Sequence, residues 1–178
     1  MTDALHQLAD DRAEFSARID GLDDRAMAWR PSPAEWSLAL VLEHLVRVEG
    51  GSLRVLEKQA AKGDAFRDLG PPSDEGLAAV VAGLRSGHRF RIPPAAAPAI
   101  TPTGEMPLDA LRQAWDGFDA RWRALDATLT DRQRAAGLFL HVRAGALRPD
   151  GVARFVAAHT AHHRAQAERI RAADGFPG

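Results

Sequence analysis

The stretch that most constrains this chain is 150–173, where apolar residues recur at helical spacing and two histidines interrupt them. At about 100° per residue, Val152, Phe155, Val156, His159, His163, Gln166 and Ile170 fall within one arc of a helix. The face that such a helix must bury therefore carries His159 and His163 at i, i+4, one turn apart with their rings on the same side. Leu or Ile would fill that volume with no polar nitrogen to satisfy, so bundle packing does not ask for the pair. Two readings fit. The histidines ligate a divalent metal, as an i, i+4 pair does in the His-Glu-x-x-His zinc proteases, or they are core residues hydrogen-bonded to one another, to Gln166 or to water. Thr160 stands where the protease motif has its glutamate, so that general base is missing.

A metal needs more than two ligands, and the chain has no cysteine. Disulfides, thiolate ligands and a Cys nucleophile are excluded together, leaving nitrogen and oxygen donors. His44 is the only other histidine placed on the buried side of a helix, at the border of an arc made by Leu38, Val41, Leu42, Leu45, Val48, Ser52, Leu53 and Leu56. Three neutral imidazoles would leave coordination positions free, as catalytic sites do; zinc, nickel and ferrous iron all accept such a set. Gln166, one turn beyond His163, is placed to orient a ligand ring or a bound water from behind. His162 lies at the edge of the arc and is not read as a ligand. His6, His88 and His141 read as surface or loop histidines, and His141 joins the site only if its loop folds back.

The remaining segments give the frame. The stripe Leu5, Leu8, Phe15, Ile19 and Leu22 predicts a first helix over 3–21. Arg12 falls on that stripe, either laying its stem along the core or serving as an anion clamp at the mouth of a pocket. Trp29-Arg30-Pro31-Ser32-Pro33 cannot continue a helix. Ser37 is an N-cap for a second helix reaching about Ala61, with Trp36 before it as a staple toward Val41. Prolines punctuate 63–107, where Ser73 caps a short helix facing inward through Leu77, Val80, Val81 and Leu84; 89–106 reads as an extended surface segment. So long a connection either crosses over or lines a site. Pro107 opens a third helix with the stripe Leu108, Leu111, Trp115, Phe118, Trp122, Leu125 and Leu129. A connection over 131–148 follows, and Asp150 is expected to cap the last helix. The fold class is all-α, a single domain over 1–178 with a long Pro-rich crossover between the second and third core helices, which lets those helices run parallel.

Composition closes off several functions. Lys+Arg 23 against Asp+Glu 24 offers no basic excess to hold a phosphate backbone, so nucleic acid is not an expected partner. No stretch is apolar enough to span a bilayer and 1–11 has no signal core, so a cytoplasmic protein is expected. There is no nucleophile elbow, P-loop or dinucleotide fingerprint.

Glu35-Trp36-Ser37, Glu43-His44-Leu45, Trp29-Arg30-Pro31 and the run His159-Thr160-x-x-His163-x-x-Gln166 together resemble the DinB-like superfamily of damage-inducible, metal-binding four-helix proteins, which is distinct from the translesion polymerase that shares the name. The resemblance spans nearly the whole chain. It implies an up-down-down-up bundle, a divalent metal on His44, His159 and His163, and a homodimer, although no exposed stripe points to a dimer. Members resembling this fold include thiol-dependent S-transferases and isomerases, such as mycothiol-dependent maleylpyruvate isomerase and bacillithiol transferases. This chain keeps only part of the family's His-Pro segment and Gly-x-Leu-Thr turn, in Leu140-His141-Val142 and Gly145-Ala146-Leu147. The expected function is a metal-dependent enzyme acting on a small molecule, either an S-transferase or isomerase using a low-molecular-weight thiol, or a hydrolase. A thiol cofactor carries acidic groups, and Arg12, Arg47 or Arg164 are the cations expected near it. The alternative is a non-catalytic, stress-related bundle that binds a metal or ligand, or keeps only a vestigial site.

Overall fold

A computed structural model describes residues 1–177. The chain is mostly helical, with one two-stranded antiparallel sheet among the described residues. In order, the α-helices are α1 (Thr2–Ser16), α2 (Asp24–Ala28), α3 (Leu38–Ala60), α4 (Asp74–Arg85), α5 (Ala97–Ile100), α6 (Leu108–Asp116), α7 (Phe118–Thr128), α8 (Asp131–Ala135) and α9 (Pro149–Arg171), with the hairpin β1 (Phe139–His141) and β2 (Gly145–Leu147) just before α9.

Side-chain caps set several of the starts. Ser37 accepts from the Leu40 amide at 3.2 Å and Ser73 from the Gly76 amide at 3.1 Å, as expected of both. Asp150 is not a cap. The residue at the N-cap of α9 is Arg148, without a side-chain cap bond, and Pro149 takes the first helical position, where its missing donor costs nothing. Asp150 instead sits in the first turn, where a carboxylate suits the positive end of the helix. The first helix is also shorter than its stripe suggested. Regular α1 stops at Ser16, and tighter turns bonded from Ile19 and Asp20 back to the Ser16 carbonyl carry the chain on. The third stripe is divided at Gly117 into α6 and α7. It is buried nonetheless: Leu111, Trp115, Phe118, Trp122 and Leu125 are core residues, each side chain contributing roughly 1.5–3 kcal/mol.

The long α9 is the hub, packed against α1, α3 and α4, while α3 also packs on α6 and α7. Two connections depart from the expectation of plain loops. The 131–148 segment forms α8, opened by a reciprocal capping box between Thr130 and Gln133, and then the hairpin, in which His141 pairs with Gly145. Gly145 has φ 81°, a left-handed backbone that closes the hairpin and favours glycine. The hairpin docks on the start of α4 through the Ser73 amide, which donates to the Ala146 carbonyl at 2.9 Å. That docking depends on Gly76, where a Cβ would stand 2.5 Å from the Ala144 carbonyl oxygen. The 89–106 segment is not a mere surface strap, since it contains α5 and reaches back to α3. No helix among the described residues is long and apolar enough to cross a membrane.

Candidate metal centre

His44 lies on α3, and His159 and His163 lie on α9; all three are buried. Their Nε2 atoms converge. Those of His44 and His163 each stand 3.2 Å from that of His159, and one ligand atom from each of the three lies within 4.8 Å of the others. A tetrahedral ion with metal–nitrogen bonds near 2.0–2.1 Å separates its ligand nitrogens by roughly 3.3 Å, close to the spacing of His159 from each of the other two.

The hydrogen bonds behind the rings fix what the facing nitrogens can do. His44 Nδ1 donates to the Ile100 carbonyl at 2.7 Å, and His163 Nδ1 donates to Gln166 Oε1 at 2.8 Å. Each of these neutral rings therefore turns an unprotonated Nε2 toward His159. A proton on His159 Nε2 could serve only one of the two lone pairs, and His159 Nδ1, buried, has no partner among the described residues. Hydrogen bonding among the histidines thus leaves the cluster unsatisfied, at a cost that buried polar groups rarely bear. A cation accepts all three lone pairs at once. Protonation is a poor substitute: burial lowers the His44 pKa, holds that of His159 well below the ordinary range with the other histidines adding to the effect, and pushes His163 down to about 3. The rings are neutral at neutral pH, which is the ligating form.

Gln166 stands behind the His163 ring, accepting from its Nδ1. The Ile100 carbonyl behind His44 comes from the crossover, and Glu43 holds it there. The Glu43 carboxylate, buried beside its neighbour in sequence, accepts from the Thr103 and Gly104 amides at 3.0 and 2.8 Å and from Arg47 Nε at 2.8 Å. Burial pushes this carboxyl up, and these donors outweigh burial so that its pKa ends lowered. Trp36 covers the cluster, its ring centroid 5.1 Å from that of His44 and stacked at 6.4 Å on that of His163. Neither the loop carbonyl nor the Trp36 lid was recognisable from periodicity.

The three histidines open on a cavity of about 540 Å³ with apolar walls from Trp36, Val80, Leu84, Phe90, Ile100 and Phe155. His141 lines it too, because its hairpin folds back over α9, and His162 lies at its edge with Nδ1 donating to the Leu84 carbonyl. The cations expected at the mouth are elsewhere. Arg12 pairs with Glu49 at 2.8 Å and with Asp119, Arg47 serves Glu43, and Arg164 pairs with Glu14. Arg89, Arg91, Arg143 and Arg169 line the cavity in their place. None of these four is in an ion pair among the described residues. Three of them come from irregular segments, where no helical wheel assigns a direction.

A sequence model of the DinB superfamily matches residues 7–167. The chain belongs to the DinB superfamily. The match takes in the whole of α3 and His44, His159, His163 and Gln166. No curated protein and no solved structure matches the chain significantly.

Proposed function

We propose that this protein is a metal-dependent enzyme of the DinB superfamily, in which His44, His159 and His163 hold a divalent ion at the floor of the cavity and the substrate is a small molecule. The observation that carries this reading is the convergence of three buried Nε2 atoms, among which a single proton on His159 could serve only one of the two neighbouring lone pairs. A divalent ion bound there lowers the pKa of a coordinated thiol or water and supplies a thiolate or hydroxide near neutral pH. That chemistry serves a thiol S-transferase or isomerase and a hydrolase alike.

The residues around the cluster have separable tasks. Gln166 and the Ile100 carbonyl hold two rings in the ligating tautomer, and Glu43 fixes the loop that provides the carbonyl. Trp36 and Phe155 exclude water from one side. Arg89, Arg91, Arg143 and Arg169 draw an anionic ligand to the mouth, which favours a substrate or thiol cofactor with acidic groups. An open cavity beside the histidines argues against a vestigial centre, which apolar side chains would have sealed. The scaffold of this reading is one domain, a four-helix bundle built from α1, α3, α6 with α7, and α9 in up-down-down-up order, the crossover running from α3 to α6.

Elemental mass spectrometry of the purified, untagged protein tests the proposal, beside His44→Ala and His163→Ala. About one equivalent of zinc, nickel or iron is expected in the parent and none in either variant, with all three folded by circular dichroism. Thiol-dependent and hydrolytic activities are then screened on the loaded parent. A parent that takes up no metal after reconstitution with zinc, nickel and ferrous ions refutes the reading.

A further inference from the structure

His141 is a cavity histidine that the metal reading leaves without a task, and its surroundings define one. Its Nδ1 accepts two backbone hydrogen bonds from the hairpin turn, from the Arg143 amide at 3.2 Å and the Ala144 amide at 3.0 Å. An amide N–H only donates, so Nδ1 carries a lone pair and the proton of the neutral ring is on Nε2. That atom is on the opposite side of the ring and has no hydrogen-bond partner among the described residues, while the residue lines the cavity. The ring packs on Phe155 at 4.5 Å between centroids, and Phe155 lies 5.7 Å from His159, so Phe155 stands between this donor and the metal cluster.

We infer that His141 is a fixed hydrogen-bond donor rather than a fourth metal ligand, presenting Nε2–H to a carboxylate oxygen of the ligand that fills the cavity. The inference rests on the proposed metal-dependent function for the company the ligand keeps, and on the turn geometry for the donor itself. Three features specify the ligand as an aryl or alkyl carboxylate. The walls are apolar, unpaired arginines line the opening, and Arg143, on the same hairpin, brings its guanidinium over the Phe90 ring at 5.3 Å while donating to the Arg91 carbonyl at 2.9 Å. That bond ties the hairpin tip to the segment carrying Arg89 and Arg91, making one cationic wall around the His141 donor. Burial and the neighbouring Arg143 charge push the imidazole down to about 4, so it remains a neutral donor at neutral pH. A neutral donor held by the backbone needs no reorganisation when the ligand arrives. It also distinguishes an oxygen acceptor from an apolar isostere, which would leave Nε2–H unpaired.

Histidine-ring nitrogen NMR on the metal-free and zinc-loaded protein, followed by calorimetric titration with benzoate, tests the inference. The expected spectrum places the His141 proton on Nε2 in both forms. Zinc-loaded parent is expected to bind benzoate, His141→Phe to bind it about tenfold more weakly, and His141→Gln, whose amide keeps a donor near the Nε2 position, to stay within about threefold of the parent. All three proteins are expected to take up the same amount of zinc, because His141 is not a ligand. A proton on Nδ1, no benzoate binding by the zinc-loaded parent, equal benzoate affinity in His141→Phe, or loss of zinc on its substitution overturns the assignment while leaving the three-histidine centre standing. Failure of the parent to take up zinc, nickel or iron overturns both.

Discussion

Two buried polar clusters sit in this molecule, and they solve the same problem differently. In the first, Arg12 of α1 and Glu49 of α3 pair in the core, and the half-exposed Asp119 of α7 joins Arg12 from the edge. Arg12 donates to both carboxylates, Trp122 Nε1 donates to Glu49 at 2.8 Å, and the guanidinium also lies 5.6 Å from the Trp115 ring centroid. Arg12 Nε and Glu49 Oε2 have no hydrogen-bond partner among the described residues, yet each charge faces an opposite one. Burial pushes the Glu49 carboxyl up and Arg12 opposes it. In the second cluster three neutral bases face each other and no carboxylate among the described residues joins them. Charge compensation within the chain marks a structural device, whereas three converging imidazole nitrogens that can share only one proton are compatible with a metal.

Exchanging one member of each cluster for an apolar residue should have opposite consequences. His159→Leu is expected to weaken metal binding by more than about a hundredfold, beyond what loss of a mere supporting group costs, while leaving the urea stability of the metal-free protein within about 1 kcal/mol of the parent, since an unsatisfied group is being removed. Arg12→Met is expected to do the reverse. It leaves Glu49 buried with Trp122 as its only donor, costing about 3 kcal/mol in urea unfolding, with metal content unchanged. Equal metal loss in both variants would mean that the clusters are not separate.

Gln166→Ala acts on the histidine cluster from behind one ring. Removing the acceptor behind His163 frees its tautomer, and about a tenfold loss of zinc affinity in a chelator competition is expected, with one equivalent still bound at saturation. A variant with parental affinity would show that Gln166 does not orient the ring.

A further test concerns acid. Burial depresses His141 to about 4 and His163 to about 3, whereas both return toward 6.5 on unfolding. Between about pH 6.5 and 3 the unfolded chain binds more protons, so stability rises with pH in that window. The contribution is complete above about 6.5 and is lost as pH falls through the folded values. Urea unfolding of the metal-free protein across this range is expected to show the loss, and His141→Phe to show a shallower one. A flat profile in the parent would contradict the buried, neutral state of these rings.

The sequence alone determined the helical class, the caps at Ser37 and Ser73, the buried faces and the placing of His159 and His163 one turn apart, because all of these follow from local geometry with a period of 3.6 residues. His44 was legible for the same reason, and so was Gln166. Tertiary structure decided the rest. Arg12 has the same wheel position whether it clamps a ligand or pairs with Glu49, and only the packing of α1 against α3 and α7 chooses. The Ile100 carbonyl, the His141 donor and the rim arginines Arg89, Arg91 and Arg143 lie in segments without periodicity, so their directions are set by long-range bonds: Glu43 to the Thr103 and Gly104 amides, and Arg143 to the Arg91 carbonyl. A helix assigns its side chains a face before it meets a neighbour. A loop acquires one only when the chain closes around it.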